Sequence, residues 1–224
     1  MASFKLNIAR IQGSPTPQEL VEQMESYGLP ESEEFGVLEA KAAAEWAFGS
    51  VVRKTQQAVQ KLDPESQQIV TGAVEKATVY PFGVQPQHEI LELYAGAASG
   101  IEQMSIFFGS CLALSTVVEP IEIDVLSAIQ KLMEETKRFQ LRSVRVSDFA
   151  ANSYMIGPYT PKFVDTPNGV EFVEQYVEGI TSASVKFQGP TGRVTVSVTP
   201  KACFSYSCKD DDQDFVKATL RKLI

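Results

Sequence analysis

Residues 183–198 constrain the fold more than any other stretch of the chain. Ala183, Val185 and Phe187 alternate with polar residues, and so do Val194, Val196 and Val198, on either side of Gly189-Pro190-Thr191-Gly192. A two-residue apolar period on both sides of a Gly/Pro turn is a half-buried β-hairpin. After Pro200, Ala202, Phe204, Tyr206 and Cys208 continue the period and predict a third strand. Upstream, the pattern predicts a strand over 141–149 and a helix opening at Thr166-Pro167, with Phe172, Val173, Tyr176, Val177 and Ile180 as its apolar set. A helix over 215–223, capped by Asp211 or Asp212, closes the chain. The C-terminal order is then β-α-β-β-β-α. Sequential hairpins mixed with helices predict an α+β fold, with helices packed on a largely antiparallel or mixed sheet.

The N-terminal half is less regular. Phe4, Leu6 and Ile8 alternate as a strand. Thr16-Pro17-Gln18-Glu19 combines a capping hydroxyl, a proline suited to the first helical position and a glutamate three residues on, and so predicts a helix start. Leu20, Val21, Met24 and Tyr27 form its apolar face, and Gly28 with Pro30 ends it. Residues 35–62 are ambiguous: the Ala-rich run 40–47 suits a helix, while the alternation of Ala44, Trp46 and Phe48, with Gly49 and the Val51-Val52 pair, tilts toward extended structure. Asp63-Pro64-Glu65 predicts a second helix with Ile69, Val70, Ala73, Val74 and Ala77 as its stripe. Short strands follow at 78–80 and 90–94, then a helix over 101–112 with Met104, Phe107, Phe108 and Cys111 inward. Ile121, Ile123 and Val125 alternate as a strand, and Asp124 or Ser127 caps a helix reaching Thr136. The chain length of 224 residues suits one continuous fold, or two lobes over 1–118 and 119–224. A weak internal echo, Thr-Pro followed by Val21-Glu22-Gln23 and by Val173-Glu174-Gln175, leaves duplication open beside shared capping chemistry.

Charge and residue counts narrow the chemistry. Twenty Lys+Arg against 28 Asp+Glu give a net charge of −8, which argues against a wholly phosphate-gripping surface but allows a local basic strip. The single histidine, His88, excludes mechanisms needing two. Cys111, Cys203 and Cys208 have no metal-type spacing and read as small buried hydrophobes in a reducing, cytoplasmic setting. Residues 1–8 carry no signal-peptide pattern, and the apolar run 106–118 is too short to cross a bilayer.

Several constellations remain. Glu122 and Asp124 share one face of the expected 121–125 strand, and His88, Glu92 and Tyr94 share a parity on another. Were these strands neighbours, the carboxylates and imidazole would suit a divalent metal. As a plain reading, they are solvated polar residues and Asp124 is a helix cap. Glu135-Thr136-Lys137 and Glu39-Ala40-Lys41 match a nuclease pattern at chance level. Residues 95–100 sit between strand and helix without the lysine or glycine spacing of a phosphate loop. The run Asp210-Asp211-Asp212-Gln213-Asp214 lacks the glycine of a calcium loop. Lys137, Arg138, Arg142 and Arg145 form one basic strip, with Arg142 and Arg145 on opposite faces if the strand is regular. The connection 151–165 carries Tyr154, Met155, Tyr159 and Phe163, residue types enriched at protein interfaces.

The leading expectation is therefore a non-catalytic binding or assembly component of a cytosolic complex. It would contact a protein partner or a second copy through Tyr154, Met155, Tyr159, Phe163, Arg142 and Arg145. No cofactor is implied, although a divalent metal is possible. One alternative is a metal-dependent hydrolase or nuclease using Glu122, Asp124, Glu92 and His88; another is a nucleic-acid-associated factor using the basic strip. No membrane partner is expected.

Overall fold

The computed structural model describes residues 2–62, 67–94, 99–112, 114–152 and 155–224. The chain divides into two compact units: Met1–Arg10, Tyr94–Ile101 and Glu119–Ile224 form unit 1, and Ile11–Leu93 with Glu102–Val118 form unit 2. In both, the sheet is mostly antiparallel and helices accompany it, as the α+β expectation requires. Among the described residues no helix is long and apolar enough to cross a membrane.

Unit 1 is built on the hairpin that dominates the sequence. Strands β9 (Ile180–Gln188) and β10 (Arg193–Val198) pair antiparallel from Arg193↔Gln188 to Val198↔Ala183. β11 (Cys203–Cys208) adds to β10, β1 (Ala2–Gln12) adds to β11, and the short strand β6 (Val117–Pro120) pairs with β1. On the other side β9 pairs with β7 (Lys137–Asn152), which pairs in turn with β8 (Met155–Tyr159). Val185, Phe187, Val194, Val196, Val198 and Phe204 are all buried on one sheet face. Helices α3 (Val125–Glu135) and α4 (Thr166–Gln175) pack against β7, and α5 (Gln213–Arg221) ends the chain. The expected C-terminal order gains one strand, β8, in the segment read as a connection. Its pairing with β7 shifts register twice, which hides the alternation.

Unit 2 starts with α1 (Pro17–Tyr27), whose capping box is present as predicted: Glu19 N donates to Thr16 Oγ1 at 3.3 Å and Thr16 N donates to Glu19 Oε2 at 3.0 Å. Gly28, at φ 63°, ends the helix and donates its N–H to Met24 O. Strands β2 (Phe35–Ala43), β3 (Trp46–Leu62), β4 (Ile69–Gln85) and β5 (Ile90–Leu93) follow, each antiparallel to the next. The helix predicted from Asp63 through Ala77 is thus a strand from Ile69 onward, and its proposed start lies outside the described residues. Its stripe is not buried, for Ile69 is 70% and Val74 41% exposed. Pairing with β3 along the whole length, together with Gly72 and the β-branched Thr71, Val74, Thr78 and Val79, outweighs the helical spacing. The strand also continues through Pro81, past the end expected at 80.

Two further expectations change. Residues 121–124 are not a strand: Ile123 N donates to Pro200 O at 2.8 Å and Asp124 opens α3. The helix from Ser99 runs as α2 (Ser99–Ile106) and widens into a π-helical turn over Phe107–Cys111. That turn places two aromatic residues in the core of unit 2. Phe107 contacts Tyr27 edge-on at 5.8 Å and Phe35 at 6.1 Å, and Phe108 contacts Phe82 edge-on at 5.5 Å. Phe107 is fully buried, so Phe107→Ala is expected to cost about 3–5 kcal/mol of stability. Denaturant unfolding checks this, and a loss below about 1 kcal/mol would contradict the packing described.

Candidate functional site

The proposed metal residues occupy positions that do not support the parity arguments made for them. Glu122 is exposed on the irregular segment before α3 in unit 1. Asp124 is the N-cap of α3, with Ser127 N donating to its Oδ2 at 2.8 Å. Hydrogen bonds from Ser127 hold its carboxyl below the usual carboxylate range, against a smaller opposing effect of burial. In unit 2, His88 is exposed on a 3-10 turn, while Glu92 is fully buried in β5 opposite Gly83. His88 and Glu92 are therefore not on one strand. Among the described residues no three of His, Cys, Asp and Glu are grouped to hold a metal ion.

The acidic run near the C-terminus serves the fold. Asp212 is fully buried, and its Oδ1 accepts a 2.8 Å hydrogen bond from Thr191 N in the β9–β10 turn. It stands at the start of α5 yet makes no side-chain capping bond there. Asp165, rather than Thr166, caps α4; Thr166 Oγ1 instead accepts from Leu141 N at 3.3 Å. The two Thr-Pro pairs therefore play different parts, one threonine capping its helix and the other bracing a strand.

The aromatic connection is also largely structural. Tyr159 pairs with Val146, and the chain beyond runs along β7: Phe163 N donates to Arg142 O at 3.0 Å. Phe163 and Tyr159 lie against Phe172 of α4, at 5.6 and 6.4 Å, and Phe149 meets Tyr159 at 4.5 Å. Met155 opposes Asn152, and Tyr154 lies outside the described residues. Pro158 and Pro161 remove backbone donors from this sheet edge, a feature that discourages a further strand. Arg142 and Arg145 are both exposed, and the strand that carries them is not regular. The register shift between Leu141 and Ser143 inserts Arg142 as an extra residue, so Leu141 and Val144 are both buried while the two arginines face solvent.

The cysteines that line the described cavities, Cys111 and Cys203, are not activated as nucleophiles. One cavity of about 570 Å³ in unit 2 is lined by Glu19, Glu22, Tyr27 and Cys111 among others. Burial, then a hydrogen bond with Cys111, pushes the Tyr27 hydroxyl up to about 12, and burial pushes the Cys111 thiol up as well. Cys203 and Cys208 are raised by the same cause. A thiol raised in this way is disfavoured as thiolate, the reactive form.

One feature escaped the sequence reading altogether: the outer part of the β3–β4 hairpin. β2 pairs with β3 only as far as Phe35↔Arg53, and β5 pairs with β4 only over Phe82–Gln85. From Thr55↔Lys76 to Leu62↔Ile69 the two strands continue as a ribbon, about 25 Å long at ~3.4 Å per residue. Gln56, Gln57, Ala58, Gln60 and residues 71–77 are exposed along it. The density of β-branched residues, Ile69, Val70, Thr71 and Val74, is the one sequence signal for it. The chain matches no family model and no curated protein sequence.

Asp124→Ala should lower stability by about 1 kcal/mol, the usual effect of losing an N-cap. Asp124→Asn should restore most of it, since asparagine caps equally well. Thermal unfolding of both variants checks the assignment; a loss of equal size in Asp124→Asn would contradict it.

Proposed function

We propose that the protein is a non-catalytic binding component that works through protein–protein contacts, with the β3–β4 arm as its contact element. The observation that carries this reading is the arm itself. A two-stranded ribbon without further cover is marginally stable in water at best. This one also exposes Ile69 and Val74, on both of its faces. Ile69 shares the face of Ala58 and Ala73, and Val74 stands on the other. A second surface lying along the arm would bury these residues and complete the pairing of its outer strand edges. This contact element replaces residues 151–163, whose described aromatics, Tyr159 and Phe163, lie against Phe172 of α4. The three free thiols fit a reducing, cytosolic setting.

The form of this reading tested first is self-association. Light scattering from micromolar to submillimolar protein should give a mass rising above 24.6 kDa, and Ile69→Asp combined with Val74→Asp should return it to that value. A chain that stays monomeric throughout would overturn self-association through the arm.

A further inference from the structure

The face of the unit 1 sheet opposite its core has an unusual composition. Following the register across the strands, Lys5 opposes Ser205, Ser205 opposes Ser197, Ser197 opposes Ser184, Ser184 opposes Ser143, and Ser143 bridges to Lys162. Four serines thus form one row across the sheet, with a lysine at each end. The row crosses five inter-strand gaps, about 24 Å at ~4.8 Å each. The neighbouring row runs Ser3, Ser207, Thr195, Lys186 and Gln140. Beyond these, Arg193 opposes Gln188 and Arg145 opposes Ser182. No position in this set is a carboxylate, although the chain as a whole carries a net charge of −8. Ordinary solvated sheet faces mix both signs of charge; these rows hold cations and neutral hydroxyl and amide side chains, with no anion among them.

A second observation at the same face points to a ligand. A cavity of about 450 Å³ is lined by Lys5, Asn7, Thr199, Lys201 and Cys203 among others. Asn7 is 3% exposed, and its Nδ2 has no hydrogen-bond partner. A buried donor without an acceptor is costly, and an acceptor entering the cavity would relieve that cost. With two lysines beside an orphaned amide N–H, the matching acceptor is an anionic oxygen.

We propose that this face binds the phosphate backbone of a nucleic acid, with one phosphate seated in the cavity by Asn7, Lys5 and Lys201. Short serine side chains leave the sheet surface flat, so a strand can lie close to it and accept hydrogen bonds from the hydroxyls. The cations along the rows supply the attraction, and their spread across the sheet fits a repeating charge. With no base-reading side chain assigned, the binding is independent of sequence. This surface is separate from the β3–β4 arm, and the two readings fail independently.

Fluorescence anisotropy with labelled single-stranded and duplex DNA, titrated in salt, tests the proposal on the full chain. Binding should weaken steadily as salt rises. The triple variant Lys5→Gln, Arg145→Gln, Lys186→Gln should weaken it more than tenfold and reduce the slope of log K against log salt by about 3. Asn7→Leu should weaken binding without changing the slope, and Ile69→Asp with Val74→Asp should leave it intact. Circular dichroism and thermal unfolding establish that each variant is folded. Absence of binding at low salt, or equal affinity and slope in the folded triple variant, would overturn the proposal.

Discussion

Antiparallel pairing between Trp46–Leu62 and Ile69–Gln85 is the constraint on which unit 2 depends. At its inner end the ribbon is enclosed: β2 and β5 flank it, Val51, Val52, Phe82 and Val84 are buried, and Gly49 is held close to Met24 and Phe82. A Cβ on Gly49 would stand 2.6 Å from Met24 Cε and 3.1 Å from Phe82, so the Met24 side chain of α1 lies directly on the glycine backbone. At the outer end the same pairing continues, and among the described residues it stays exposed, as at Gln56, Gln57, Ala58 and residues 71–77. Backbone hydrogen bonds hold it together, but apolar cover, the larger source of stability in a sheet, stops near Arg53. A fold that extends a ribbon past its own core leaves that ribbon to be completed from outside.

Unit 1 manages its sheet differently. Helices cover one face and the other is left open, the usual arrangement for an antiparallel sheet. The bulge at Arg142 is what keeps that division clean along β7. Without the extra residue, Leu141 and Val144 would point to opposite sides, and one would be lost from the core. With it, the apolar side chains stay together and the polar face continues across all the strands. The serine row then follows from register, since the successive β9, β10 and β11 pairings and the bulged β7 pairing align Ser184, Ser197, Ser205 and Ser143.

Legibility in the sequence tracked how local the determining interaction was. The capping box at Thr16 and Glu19, the β9–β10 hairpin and the Asp124 cap are set by residues within a few positions, and each was readable. Residues 69–77 were misread because Ile69, Val70, Ala73, Val74 and Ala77 satisfy a helical stripe as well as a strand. Only the distant partner, Thr55–Leu62, decides between them, and single-sequence periodicity does not see it. Ile121, Ile123 and Val125 alternate by coincidence; a hydrogen bond from Ile123 to Pro200 and the cap at Asp124 make that stretch a connection. For the candidate sites, the residue types were visible but their neighbours were not. Tyr159 and Phe163 read as contact residues until α4 was found against them, and the serines drew no notice until the register aligned them.

The central claim is that the β3–β4 arm stands without cover in the isolated chain and is completed by a contact from outside. Amide hydrogen exchange, resolved along the chain and measured at two protein concentrations, addresses it most directly. At dilution the amides of Thr55–Leu62 and Ile69–Lys76 should exchange far faster than those of β9, β10 and β11, and at high concentration their protection should rise while the sheet of unit 1 stays unchanged. Protection of the arm at dilution equal to that of β9–β11 would contradict the account.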